Sequence, residues 1–233
     1  MAKWTFEPGH TAAEFCARHM MVTCVRGHFK DVHGTLDFDP ENPAAASADV
    51  VIDAQGLWSG EPDRDTHLKG ADFLDVANHP KITFRGKGVE LIGANEGKFR
   101  GELTIRGITR PATLEVRYLG QWETPWWENG VDKGPKTRAG FLATTRINRK
   151  DFGVNWNGTL DRGGIVVSDD VDITIDADHW RYARGQVQIR GVILDGKRQE
   201  LCDIDRHQNA SFRRPSVPRE PPQYNGGARR SIC

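Results

Sequence analysis

From Thr11 to Ile175 the chain sets apolar side chains at alternate positions, in short runs divided by turn-forming residues. In Gly34-Thr35-Leu36-Asp37-Phe38-Asp39, Leu36 and Phe38 fall on one side while Thr35, Asp37 and Asp39 fall on the other. A period of two belongs to an extended strand with one buried face. Asp39-Pro40-Glu41-Asn42-Pro43 ends that run, because proline lacks the ladder donor and fixes its φ. Further strands are predicted at Glu14–His19, Val25–Phe29, Ala48–Asp53, Lys81–Arg85, Gly86–Ile92, Gly97–Arg106, Ala112–Tyr118, Thr137–Ile147 and Asp169–Asp176. About eight to ten short strands at this spacing predict an all-β sandwich or barrel. Two segments break the rhythm. His19–Cys24 reads as one helical turn between strands. Asp63–Leu74 reads as a short amphipathic helix across one end of the sheet, with Asp63 as N-cap and Leu68 and Phe73 on one side.

After Trp180 the character of the chain changes. Arg213-Arg214-Pro215-Ser216-Val217-Pro218-Arg219-Glu220-Pro221-Pro222 and Asn225-Gly226-Gly227 offer little apolar surface to offset ordering entropy. A hydrophobic content of 37% and a mean hydropathy of -0.59 fit a chain that folds only in part. The expected organisation is a β domain at residues 1–178 and a basic, disordered C-terminal tail at 179–233. Net charge is zero over the whole chain, with 32 basic and 32 acidic residues. His179–Cys233 holds 11 lysines and arginines against 5 acidic residues, which leaves the body 21 against 27. An acidic body carries no field that would attract nucleic acid.

No apolar run reaches the roughly 18 residues that a bilayer-spanning helix needs. Met1-Ala2-Lys3-Trp4-Thr5-Phe6-Glu7-Pro8 lacks the apolar core and cleavage site of a secretory signal, which points to the cytoplasm. Cys16, Cys24, Cys202 and Cys233 form no CxxC pair, and reduced thiols are expected. His10, His19, His28 and His33 stand at no familiar metal-ligand spacing, so neither metal nor cofactor is expected.

Several pieces stand together in one order. They are Trp4–Phe15 with Ala17-Arg18-His19-Met20, Val25-Arg26-Gly27-His28-Phe29, and Gly34 to Asp39. Arg64-Asp65-Thr66-His67-Leu68, Asp72-Phe73-Leu74-Asp75 and His79-Pro80-Lys81-Ile82-Thr83-Phe84 follow. Gly101–Thr109, Arg138-Ala139-Gly140-Phe141 and Asn148-Arg149-Lys150-Asp151-Phe152-Gly153 complete the set. In these motifs, from about Trp4 to Ile175, the chain resembles the YceI-like, lipocalin-like proteins that bind polyisoprenoids and related lipids. The resemblance implies an elongated, eight-stranded antiparallel barrel with a long apolar interior. Closure at about eight strands leaves room for one small ligand and removes exposed edges. Many relatives carry an export signal that this start lacks, and the basic tail has no counterpart in the family pattern.

The inward register groups Phe15, Ala17 and His19; Leu36 and Phe38; Val50 and Ile52; Ile82 and Phe84. It continues with Phe99, Gly101, Leu103 and Ile105, then Phe141 and Ala143. A packed core shows the same alternation, so the pattern alone does not separate core from cavity. With the resemblance, the ligand-binding set is Phe15, Ala17, His19, Phe38, Phe84, Gly101, Leu103, Ile105, Phe141 and Ala143. Gly101 and Ala143 are small residues that leave room for a chain. His19 reads as a satisfied structural histidine or as a hydrogen-bonding partner for a head group. Arg64 and Asp65 read as locks between helix and loop, and Arg149 and Asp151 likewise beside Gly153. Trp122, Trp126 and Trp127 lie in the connection Gly120–Lys136, where closing a barrel mouth or touching a membrane surface are the two readings.

The expected partner is an isoprenoid or fatty-acyl lipid, with at most transient membrane contact and with a homodimer left open. The competing classes are a ligand-free, stress-related interaction module and a small-substrate enzyme, and no nucleophile elbow or phosphate-cradling loop supports the latter. Removal of residues 184–233 is expected to leave the melting temperature and lipid binding unchanged. A large fall in melting temperature on truncation would place the domain boundary later in the chain.

Overall fold

The computed structural model describes residues 2–160 and 164–182, so beyond Tyr182 the expected disordered tail lies outside the described residues. The strands are β1 (Ala2–Phe6), β2 (Ala12–His19), β3 (Thr23–Phe29), β4 (Val32–Phe38), β5 (Ser47–Asp53), β6 (Lys81–Leu91), β7 (Glu96–Ile105) and β8 (Ile108–Thr124). After them come β9 (Trp127–Glu128), β10 (Val131–Asp132), β11 (Lys136–Asn148) and β12 (Val167–Tyr182). Around the ring the order is β1-β4-β5-β6-β7-β8-β11-β12, and β12 returns to pair with β1. All pairings are antiparallel, which makes a closed eight-stranded barrel of the expected class.

Strands β1 and β2 are two halves of one bent strand. β1 pairs with β4, and β2 pairs with β3. The bend is a 3-10 turn at Pro8–His10, started by a proline whose missing N–H costs nothing at that position. β12 follows both halves, with Ala17↔Val171 to Ala12↔Asp176 on β2 and Phe6↔His179 and Thr5↔Trp180 on β1. Where the bend interrupts the ladder, the buried Thr11 hydroxyl lies 3.2 Å from both the carbonyl and the amide of Asp178. Glu7 N–H also donates to the Asp178 carbonyl at 2.8 Å. Outside, the Asp178 carboxylate receives Arg138, and His10 Nδ1 lies 3.3 Å from it.

Four local expectations change. His19–Cys24 is not helical: Met20 (φ 48°) and Met21 (φ 61°) are the central residues of a turn between β2 and β3, closed by Val22 N–H donating to the His19 carbonyl at 3.1 Å. Two left-handed residues suit the twist of paired strands, so the ladder overrides their backbone preference. Lys81–Arg85 and Gly86–Ile92 are one strand, β6, with a register shift between Gly86 and Val89 that Gly88 permits at φ 82°. The last strand runs past the expected boundary at 178 to Tyr182, because β1 supplies its ladder partners there. The helix α1 (Pro62–Lys69) starts earlier than expected. Glu61, not Asp63, caps it by accepting from Asp63 N–H and Arg64 N–H, and Pro62 stands at the first turn. Leu68 lies on this helix, and Phe73 is buried in the turn beyond it.

Thr11→Val keeps the shape of the side chain but leaves the Asp178 amide without its hydroxyl partner. It is expected to lower stability by roughly 1–3 kcal/mol in urea unfolding. An unchanged midpoint would show that closure does not depend on this bridge.

Candidate functional site

The barrel encloses a cavity of about 430 Å³, within the range of roughly 300–1,000 Å³ usual for small-molecule sites. Of the expected wall residues, Phe15, Ala17, Leu36, Phe38, Val50, Ile52, Ile82, Phe84, Phe99, Leu103, Ile105, Phe141 and Ala143 line it. His19 and Gly101 do not. His19 is half-buried at the hairpin end of β2, where it pairs with Thr23 and Val167. Gly101 leaves no free space: the site a Cβ would take is 2.5 Å from the Phe84 ring and is also blocked by the Arg85 carbonyl. Gly86 stands in the same relation to the Phe99 ring at 2.7 Å, and Phe15 covers Gly27 likewise. Each of these rings covers a glycine on a neighbouring strand.

Sequence reasoning missed a large part of the wall. Leu114, Val116 and Tyr118 of β8 line the cavity, as do Val171, Ile173, Ile175, Ala177 and His179 of β12. The signal was present in the alternation of Val171, Ile173, Ile175 and Ala177 with exposed Asp172, Thr174 and Asp176, and of these wall residues His179 alone lay beyond the boundary at 178. At one end the cavity meets a cap of Leu57, Leu68, Phe73, Leu74, Phe152 and Val154. At the β6–β7 hairpin it reaches the surface beside the exposed Leu91, Ala94, Asn95 and Glu96.

Charged side chains hold the cap in place. Arg64 donates to the Ser59 hydroxyl and carbonyl, both at 2.8 Å, and Asp65 accepts from Ser59 N–H at 2.8 Å. His67 meets Phe73 and Trp156 edge-on, at 5.0 and 4.9 Å between ring centres. Arg106 donates to the carbonyls of Phe73 and Gly153 at 3.0 and 3.1 Å, which ties the β7–β8 turn to the same cap. Arg149 is buried at the cavity edge and donates to the carbonyls of Val154 (2.7 Å), Trp156 (2.8 Å), Ser168 (2.9 Å) and Val167 (3.3 Å). Its ion pair with Asp169 is 3.3 Å long, and burial pushes its pKa below the usual value. Asp151 beside it is exposed and, among the described residues, adds no hydrogen bond. Gly153 adopts the left-handed conformation, φ 73°, that the turn requires.

The three tryptophans do not close a mouth. None lines the cavity. Trp126 stacks on Trp180 with ring centres 6.3 Å apart, and Lys136 Nζ lies 3.5 Å from Trp126 and 3.4 Å from Trp180. Trp180 falls on the outer face of β12, so cation–π contact holds the loop to the outside of the wall. Trp122 and Trp127 face solvent.

At the opposite end from the cap, aromatic rings gather on the wall. Phe38, Tyr118 and Phe141 lie 5.0–5.3 Å from one another. His179 packs on Phe6 at 4.0 Å and on Phe141 at 5.3 Å. Only 3% of it is exposed, and neither ring nitrogen has a hydrogen-bond partner. Burial lowers its pKa to about 4; the Ala177 backbone pulls the other way without forming a hydrogen bond of good geometry.

The imidazole is therefore neutral at pH 7. An unfolded chain takes up that proton near pH 6.5, whereas the folded chain does so only near 4. Stability from keeping the ring neutral is full above pH 6.5 and declines by roughly 3 kcal/mol as pH falls through that window. His179→Leu is expected to flatten this decline relative to the unmodified protein in urea midpoints from pH 7 to 4. Parallel curves would show that the buried imidazole does not govern acid stability.

With this geometry in hand, comparison with known proteins is direct. The sequence matches the YceI-like domain over residues 4–179. Protein YceI of Escherichia coli O157:H7 is 37% identical over 172 residues, covering 74% of this chain and 82% of that protein. Burkholderia cenocepacia BcnA superposes with a TM-score of 0.61 at 23% identity, over 74% of this chain and 98% of that one. A polyisoprenoid binding domain from Saccharophagus degradans superposes with a TM-score of 0.51 at 12% identity, over 76% of this chain and 97% of that one. The two structural likenesses speak to the fold, and the domain match and the shared identity with YceI speak to descent. The chain belongs to the YceI-like domain family.

Proposed function

We propose that this chain binds one long-chain amphiphilic lipid, isoprenoid or acyl, in the barrel lumen, and so sequesters or carries it. The observation that carries this reading is the continuous apolar lining from the α1 cap to the opening at the β6–β7 hairpin. A methylene moved from water into such surroundings contributes about 0.8 kcal/mol, so a long tail binds with few polar contacts. The Saccharophagus degradans domain of the same fold is described as polyisoprenoid binding, which supports the same ligand class here. Leu91 and Ile92, 50% and 55% exposed beside the opening, are the surface that meets a membrane during transfer.

Ala143 supplies the test. It is buried on the wall between Val116 and Ile175, and a larger apolar side chain there fills the lumen without adding charge. Gly101→Leu is unsuitable, because its side chain would meet the Arg85 carbonyl and the Phe84 ring. Ala143→Phe is expected to stay folded and to lose lipid that organic extraction recovers from the unmodified protein. A variant destabilised by roughly 1–3 kcal/mol, from a parent that neither carries nor takes up lipid, would identify the interior as a packed core instead.

A further inference from the structure

We propose that His179 is the head-group contact of the lumen, where its imidazole hydrogen-bonds an uncharged oxygen, hydroxyl or carbonyl, of the bound lipid. This rests on the reading of the cavity as a lipid site and assigns the chemistry at one end of it.

Buried polar atoms in folded proteins are nearly always paired, so an orphan asks for an explanation. Among the described residues the buried side-chain polar atoms without a partner are His179 Nδ1, His179 Nε2 and Arg181 Nε. They belong to one strand, β12, two positions apart and so on one face. His179 lies on the cavity wall, and its ring contacts are the phenyl rings of Phe6 and Phe141. Neither phenyl ring carries a polar atom to pair with the imidazole nitrogens. A neutral imidazole presents one donor and one acceptor, and a hydroxyl satisfies either while a carbonyl satisfies the donor.

Charge decides against an anionic head. Among the described lining residues the cationic side chain is Arg149, whose guanidinium is already committed to four carbonyls and Asp169 beside the cap. Arg181 lies over the Trp4 ring at 4.6 Å and does not line the cavity. A phosphate or carboxylate at His179 would thus enter apolar surroundings without a counter-charge in the lining. An oxygen without charge gains the hydrogen bond and avoids that cost. The distribution of polarity also orients the ligand, with its oxygen among Phe6, Phe141 and His179 and its chain running toward the α1 cap.

The experiment uses the full chain, stripped of lipid, and three probes with the same geranylgeranyl chain: the alcohol, the hydrocarbon lacking the hydroxyl, and the diphosphate. Binding of each is measured for the unmodified protein and for His179→Leu, and the imidazole nitrogens are followed by 15N NMR in the unmodified protein. The alcohol is expected to bind about tenfold tighter than the hydrocarbon. That preference should vanish in His179→Leu with hydrocarbon affinity retained, and only the alcohol should shift the His179 nitrogens. Equal binding of alcohol and hydrocarbon, or a preference that survives the substitution, overturns the proposal. Tightest binding of the diphosphate overturns it too, and assigns that end to an anion through Arg181. Failure of every probe to bind the unmodified protein removes the lipid reading itself. Should the variant not fold, the NMR response of the unmodified protein decides alone.

Discussion

Closure of the sheet depends on β12 being hydrogen-bonded along both edges. One edge is β11, in register from Asn148↔Asp170 to Lys136↔Tyr182. The other is shared in sequence by β2 and β1, which meet at the bend after Phe6. A straight strand could not follow both the β2–β3 and the β1–β4 directions, and a broken one would leave backbone groups of β12 unpaired inside the wall. Thr11 resolves this with a side chain that acts as a missing piece of ladder. Because the ring then has no free edge at β12, each strand's inner face is forced toward a common axis, and the lumen follows from the topology.

Polar side chains in this protein act as fasteners at the ends and outside, which is why the lumen stays apolar. Arg149 shows the cost and the compensation together. Its burial disfavours the charge, yet four carbonyls and a carboxylate surround it, and in return it ties Val154 and Trp156 to the start of β12 at Val167, Ser168 and Asp169. Ser59 plays a similar part for α1, since Arg64 and Asp65 both reach it. Among the described lining residues, His179 is the one with buried side-chain polar atoms that lack a hydrogen-bond partner.

The barrel was legible in the sequence because its period of two is imposed residue by residue; Leu36 and Phe38 reach the wall in the register that alternation predicts. What the sequence hid was set by neighbours distant along the chain. Nothing local to His179 says that Phe6 will pair with it and extend β12 past residue 178. Trp126 looks like a mouth-closing residue until Lys136 and Trp180 are placed beside it. Met20 and Met21 are poor residues for a left-handed turn, so propensity pointed elsewhere and only the β2–β3 ladder explains them. Gly101 was read as empty volume, whereas a side chain from the next strand fills it.

The rings of Phe15, Phe84 and Phe99 over Gly27, Gly101 and Gly86 have a mechanical consequence. Each ring fills the space that a side chain at the facing glycine would take, so the wall has no notch at those three places. A chain bound as proposed would find no niche for a methyl branch at those glycines, and the α1 cap would be its stop. Closed by the α1 cap and open beside the β6–β7 hairpin, the bore would set the depth to which such an occupant enters and not its full length.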